Sequence, residues 1–235
     1  MGEQIVIVGG VAAGPKAACR VKRLIADADV TVIDQDNLIS YGGCGIPYYV
    51  SGDVSDEKEL RSTSFHMVRD EYFFDKAKGV KTMTSTKALQ INREKKTVLV
   101  EDLKSGEKKE IRYDKLMLAT GSSPAVLPIP GSTADGVFTI SDLHKAIAIK
   151  ERLAKGMVGR AVVIGGGAIG IEMAEALTDL WGIETSIVEY AEQLLPRIID
   201  WPMAAILQKQ LRDNNVDVYL SEAAEEIVKI FEKQI

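Results

Sequence analysis

Cysteine is nearly missing from this chain: its 235 residues carry only Cys19 and Cys44, too few for a disulfide scaffold. Histidine is as scarce, with His66 and His144 alone, so no Cys/His set has metal-ligand spacing and no metal site is expected. No apolar run approaches the ~20 residues that span a bilayer, so no membrane contact is expected. The first residues, Met1-Gly2-Glu3-Gln4, lack the basic flank of a secretory signal. Positive charge is not in excess either. The 29 Lys and Arg stand against 34 Asp and Glu, a net charge of −5, which argues against nucleic acid as the main partner. With so few cysteines, a reduced, cytoplasmic setting is the expectation.

What is present is the composition of a globular protein, 46% hydrophobic and 27% charged, with length for one large domain or two small ones. Residues 4–8 read as a strand, 12–25 as a helix and 30–33 as a second strand ending at Asp34. The pattern recurs as a strand at 160–164, a helix reaching about residue 180 and a strand at 185–188 ending at Glu189. Between them, residues 86–92, 97–101 and 110–113 alternate apolar and polar side chains, as in an antiparallel meander. A buried strand is expected at 115–119, a linker at Pro128, Pro130 and Gly131, and a helix at 142–154. The expected fold is α/β: two Rossmann-like βαβ dinucleotide-binding units, with a small antiparallel β-meander on the first. The domain division is set at 1–145 and 146–235.

Each βαβ unit opens on a glycine turn. Gly165, Gly167 and Gly170 satisfy G-x-G-x-x-G in full, and Glu189 follows Gly165 by 24 residues. An acid at that distance accepts the ribose 2′-hydroxyl and repels a 2′-phosphate, so NADH is favoured over NADPH. In the first turn Gly9 and Gly14 fit while Val11 replaces the middle glycine, and Asp34 follows Gly9 by 25 residues. By motif alone that turn is a dinucleotide site or a plain α/β turn. The most telling stretch is Ser40-Tyr41-Gly42-Gly43-Cys44-Gly45-Ile46-Pro47-Tyr48-Tyr49, which puts a thiol in a glycine-rich turn where burial is unexpected. Cys19, inside an apolar helical pattern, reads instead as a small core residue.

Taken together these residues resemble the pyridine nucleotide-disulfide oxidoreductases. The similarity is to the branch of coenzyme A disulfide reductases, persulfide reductases and NADH oxidases. It is carried by Gly9-Gly10-Val11-Ala12-Ala13-Gly14, by Ser40, Tyr41, Cys44, Gly45, Pro47 and Tyr48, by Ala119-Thr120-Gly121, and by the second turn with Glu172 two residues past Gly170. The resemblance implies FAD at Gly9, Val11, Ala12, Ala13 and Gly14, with Asp34 and Gln35 at the adenosine ribose, Ala88 at the adenine, and Ala119, Thr120 and Gly121 over the cofactor. It implies NADH at Gly165, Gly167, Ala168, Ile169, Gly170 and Glu189. Electrons would pass from NADH through the flavin to a single redox thiol, Cys44. Its substrate would be a coenzyme A disulfide, a persulfide or polysulfide. Glu172 is either a group near the nicotinamide or an ordinary first-turn acid. Lys16, Arg20 and Arg23 share one helix face. They are either a solvated stripe or, with Ser40 and Gly43, a binding path for coenzyme A. An NADH oxidase and a non-catalytic FAD/NAD-binding fragment remain alternatives. The sequence departs from the pattern at Ser141, where many relatives carry arginine. The family's C-terminal FAD motif and dimerisation domain have no counterpart in these residues, and a homodimer is expected of a full-length protein.

Overall fold

The computed structural model of the chain describes residues 2–228. Its elements are β1 (Gln4–Val8), α1 (Ala13–Leu24), β2 (Asp29–Ile33), α2 (Ile46–Ser51), α3 (Glu57–Leu60), α4 (Glu71–Phe73), β3 (Lys81–Met83), β4 (Thr86–Asn92), β5 (Thr97–Asp102), β6 (Lys108–Arg112), β7 (Lys115–Leu118), α5 (Leu143–Ala154), β8 (Arg160–Ile164), α6 (Ala168–Thr178), β9 (Glu184–Glu189), α7 (Trp201–Asp213) and β10 (Val216–Leu220). Two compact units form, Met1–Cys44 with Asp56–Ser122, and Gly45–Ser55 with Ser123–Ile235. The division therefore falls elsewhere than the 145/146 boundary expected from sequence. Both the proline-marked linker and the short segment after Cys44 go with the second unit.

The first unit is three-layered. A parallel sheet in the order β3-β2-β1-β7 is apolar on both faces because Ile5, Ile7, Val30 and Val32 alternate with Val6 and Ile33. The first set packs with Ala18 of α1 and with Phe73, Phe74 and Val80. Val6 and Ile33 pack on Val98 and Val100 of the antiparallel meander β4-β5-β6, which is where the alternating pattern placed it. α4 continues into a π-helical turn, Phe74–Lys78, that closes at Gly79 in the left-handed region (φ 61°).

In the second unit the parallel order is β10-β9-β8. Ile187 of β9 and Val216 and Val218 of β10 pack with Ala174 of α6, Leu211 of α7 and Leu194. α2 packs on α5 and α6. Asp142 caps α5 by accepting the Lys145 N–H at 2.9 Å. Ser141 Oγ donates to Asp142 at 2.8 Å and accepts from Lys145 Nζ at 3.2 Å, so the residue that departs from the family pattern supports this cap. Asp142→Ala is expected to destabilise the chain by about 1 kcal/mol, the usual cost of losing a cap. The check is the urea midpoint, and an unchanged midpoint would remove the cap from the list of stabilising contacts.

Candidate functional site

The two glycine turns repeat one another. Gly9 (φ 117°) and Gly165 (φ 111°) both take a conformation that side chains avoid. Their N–H groups donate to Ile33 O and Val188 O, each at 2.8 Å. A Cβ on Gly14 would lie 1.8 Å from Gly9 O, and one on Gly170 would lie 2.0 Å from Gly165 O. Glycine at the last position lets helix and strand close on each other. The middle position differs in kind. Gly167 has φ −80°, and Val11 takes no positive φ. The backbone there does not require glycine, which is why valine is accommodated in the first turn.

Each acid at the end of the second strand is tied back to its turn. Asp34 Oδ2 accepts the Gly10 N–H at 2.5 Å and Oδ1 the Asp36 N–H at 2.8 Å. Glu189 Oε2 accepts the Gly166 N–H at 2.6 Å and Oε1 the Ala191 N–H at 2.7 Å. Gly10 and Gly166 were missed by the motif, although the spacing of acid and turn in both halves carries the signal. A carboxylate has about four acceptor positions, so both acids keep capacity for a ribose hydroxyl. The repeat runs further: Ser40 N–H reaches Gly10 O at 2.8 Å and Leu195 N–H reaches Gly166 O at 3.0 Å. Both residues are left-handed, at φ 56° and 49°.

In the first unit this places Gly9, Gly14, Asp34 and Ala119 at the C-terminal end of β1. Ala119 N–H bonds Val8 O at 2.7 Å, and a Cβ on Gly9 would lie 2.0 Å from Ala119 O. Thr120 and Gly121 follow, both exposed, with Gly121 left-handed (φ 67°). Ala12 and Ala13 are exposed at the start of α1, and Gln35 is exposed beside Asp34. Ala88, on β4 of the meander, packs against the cluster of Val6, Ile33, Val98 and Val100, just before the β4–β5 register shifts at Gln90. Lys16, Arg20 and Arg23 are exposed along α1 and make no ion pair among the described residues. Lys76 pairs with Asp75 at 2.7 Å, and that hydrogen bond and charge raise its pKa above the ordinary lysine value. Lys78 lies 5.2 Å from the centre of the Phe73 ring.

Gly43–Gly45 form a 3-10 turn, and Cys44 within it is exposed. Cys19 is half-buried and packs against the first core, as the apolar pattern around it suggested. In the second unit Gly165, Gly167, Ala168, Ile169 and Gly170 line a cavity of about 690 Å³ along β8 and α5. Neither α1 nor α6 has an acid in its first turn, so both helix starts present free N–H groups suited to an anion. Glu172 is exposed on α6 beyond that first turn, so the plain first-turn reading of this acid does not hold. Among the described residues no helix is long and apolar enough to cross a membrane, and no cluster of His, Cys, Asp or Glu is arranged for a metal ion.

Known proteins are similar to this chain over nearly all of its length. A NAD(P)H coenzyme A polysulfide/persulfide reductase of Pyrococcus horikoshii is 36% identical over 94% of this chain and 47% of its own length. An NADH oxidase of Methanocaldococcus jannaschii is 33% identical over 95% of this chain and 48% of its own. The solved NAD-dependent persulfide reductase from A. fulgidus superposes with a TM-score of 0.92 at 40% identity, over 96% of this chain and 41% of that one. The chain thus spans about half the length of the curated relatives it matches. Residues 3–232 match the family described as pyridine nucleotide-disulphide oxidoreductase, and the chain belongs to that family.

Proposed function

We propose that this chain is the FAD- and NADH-binding part of an oxidoreductase whose single redox thiol, Cys44, reduces a coenzyme A disulfide, a persulfide or a polysulfide. The observation that carries the reading is the position of Cys44. It is an exposed thiol in a 3-10 turn, four residues after Ser40, whose N–H is bonded to the carbonyl of the first glycine turn. The residues fit both dinucleotides. The crossing at Gly14 and Gly170 leaves no room for a side chain, and a Cβ at Gly167 would meet nothing within 4 Å, so that position is open for backbone approach to a pyrophosphate. On this reading the α1 turn, with Asp34, holds FAD, and the α6 turn, with Glu189, holds NADH. Asp34 and Glu189 do two jobs at once, locking the turn and accepting from a ribose.

The thiolate of Cys44 attacks one sulfur of the coenzyme A disulfide. A Cys44–coenzyme A disulfide forms, the original S–S bond breaks, and one coenzyme A thiolate leaves. When bound, FAD and NADH supply the two electrons that open the mixed disulfide, releasing the second coenzyme A thiol and restoring Cys44. Lys16, Arg20 and Arg23 offer three unpaired cations, among the described residues, to the phosphates of coenzyme A; Gly43 is exposed next to the thiol, whereas Ser40 is buried and offers its contribution through the backbone. Two copies in a full-length protein, in a reducing compartment, complete the reading.

Calorimetric titration tests the second site. The unmodified chain should bind NADH more tightly than NADPH. Glu189→Ala should weaken NADH by about tenfold or more, the worth of a hydrogen bond to a charged group, and should narrow the preference. Equal binding of the two nucleotides by the unmodified chain would sink the assignment of Glu189.

A further inference from the structure

The segment that leaves Cys44 is held by two side chains outside the nucleotide turns. α2 has six residues, Ile46–Ser51, too short to be stable by its own hydrogen-bond ladder. The carbonyls at and beyond its C-terminal end are met from elsewhere in the second unit. Trp181 Nε1 donates to Val50 O at 2.7 Å. Lys150 Nζ donates to Val54 O at 2.8 Å and to Ser55 O at 3.1 Å, and it stands 4.0 Å from the centre of the Tyr49 ring. Ser51 Oγ and the Val54 N–H both close on Tyr48 O at 2.9 Å, and Gly52 ends the helix in the left-handed region (φ 107°). Lys150 is on α5. Trp181 follows α6, the helix whose opposite end is the second glycine turn.

We propose that Lys150 and Trp181 are positioning residues for the Cys44 thiol, an inference that rests on reading Cys44 as the redox group. They act through α2. The peptide chain runs from Cys44 through Gly45 directly into that helix, so anchoring one end of α2 limits the directions in which the Sγ is presented. Attack on a disulfide needs the incoming sulfur aligned with the S–S bond. Alkylation by a small reagent needs access alone. The two chemistries therefore separate positioning from exposure.

The test uses the whole chain with Cys19→Ser, so that Cys44 is the sole thiol. Rates of modification are measured with coenzyme A disulfide and with iodoacetamide. The ratio of the first rate to the second should fall by about two- to tenfold in Trp181→Phe, which loses one ordinary hydrogen bond, and by at least as much in Lys150→Met, which loses two from a charged donor. Lys150→Arg, which keeps a cation and its donors, should restore the ratio. A ratio unchanged in Trp181→Phe and Lys150→Met, with circular dichroism unaltered, overturns the proposal.

A second measurement is independent of the substrate. With Trp201→Phe, Trp181 is the one remaining tryptophan of the two in the sequence, and alkylating Cys44 should shift its emission. Emission unmoved by alkylation also overturns the proposal. Failure of the unmodified chain to form any coenzyme A adduct overturns the redox reading instead, and the emission shift then decides the positioning claim by itself.

Discussion

Gly14→Ala is expected to cost the first unit about 3 kcal/mol, the upper end of what overpacking a closed contact costs. The added Cβ would sit 1.8 Å from Gly9 O, against backbone that cannot swing aside as a flexible side chain can. Gly9 is itself held by its N–H bond to Ile33 O at 2.8 Å, so relief at Gly14 means displacing the end of β1. Gly170→Ala should act alike in the second unit, where the clash is with Gly165 O at 2.0 Å. The control is Gly167→Ala, for which nothing lies within 4 Å and φ is −80°. That variant should keep its stability to within about 0.5 kcal/mol and yet bind NADH about tenfold more weakly, because only the approach of the ligand is blocked. Urea denaturation followed by circular dichroism, paired with nucleotide titration, reads both effects. A Gly14→Ala chain as stable as the parent would mean the helix and strand do not cross as closely as described.

Cys44→Ser should abolish formation of a coenzyme A adduct and slow disulfide reduction by at least about 10³-fold, as removal of a nucleophile does. Flavin reduction by NADH, in chain reconstituted with FAD, should be unaffected. Serine is nearly isosteric and Cys44 is exposed, so folding is not at stake. A hydroxyl at neutral pH lacks the anionic sulfur that opens S–S bonds. Mass spectrometry after incubation with coenzyme A disulfide is the direct check. An adduct that survives in Cys44→Ser and disappears in Cys19→Ser would move the chemistry to the other thiol. That outcome runs against the packing of Cys19 on the first core.

Much of the fold was legible because period carries the information. The alternating Val98 and Val100 marked a meander strand, and the strands at 4–8 and 30–33 were marked as the two strands of a βαβ unit; that they are buried on both faces is what the packing adds. α3 and α4 were not legible, since helices of four and three residues show no full turn of amphipathic repeat. β3, three residues long, is likewise below the length at which alternation can be recognised. The geometry of the two turns was legible at Gly14, Gly170, Asp34 and Glu189 through spacing, and hidden at Gly10 and Gly166, whose contribution is a backbone N–H that every residue but proline possesses.

By itself the sequence determined the two glycine turns, their acids, the solitary thiol beyond the first of them, and so the family. Local spacing imposes those features, because turn, helix start and strand end are consecutive in the chain. Only the tertiary structure decided that the residues after Cys44 join the second unit and are anchored by Lys150 and Trp181. Those contacts join positions about a hundred residues apart or more. No periodicity encodes them, and they form only when packing brings an indole N–H and an ammonium group to the carbonyls that a short helix cannot satisfy alone.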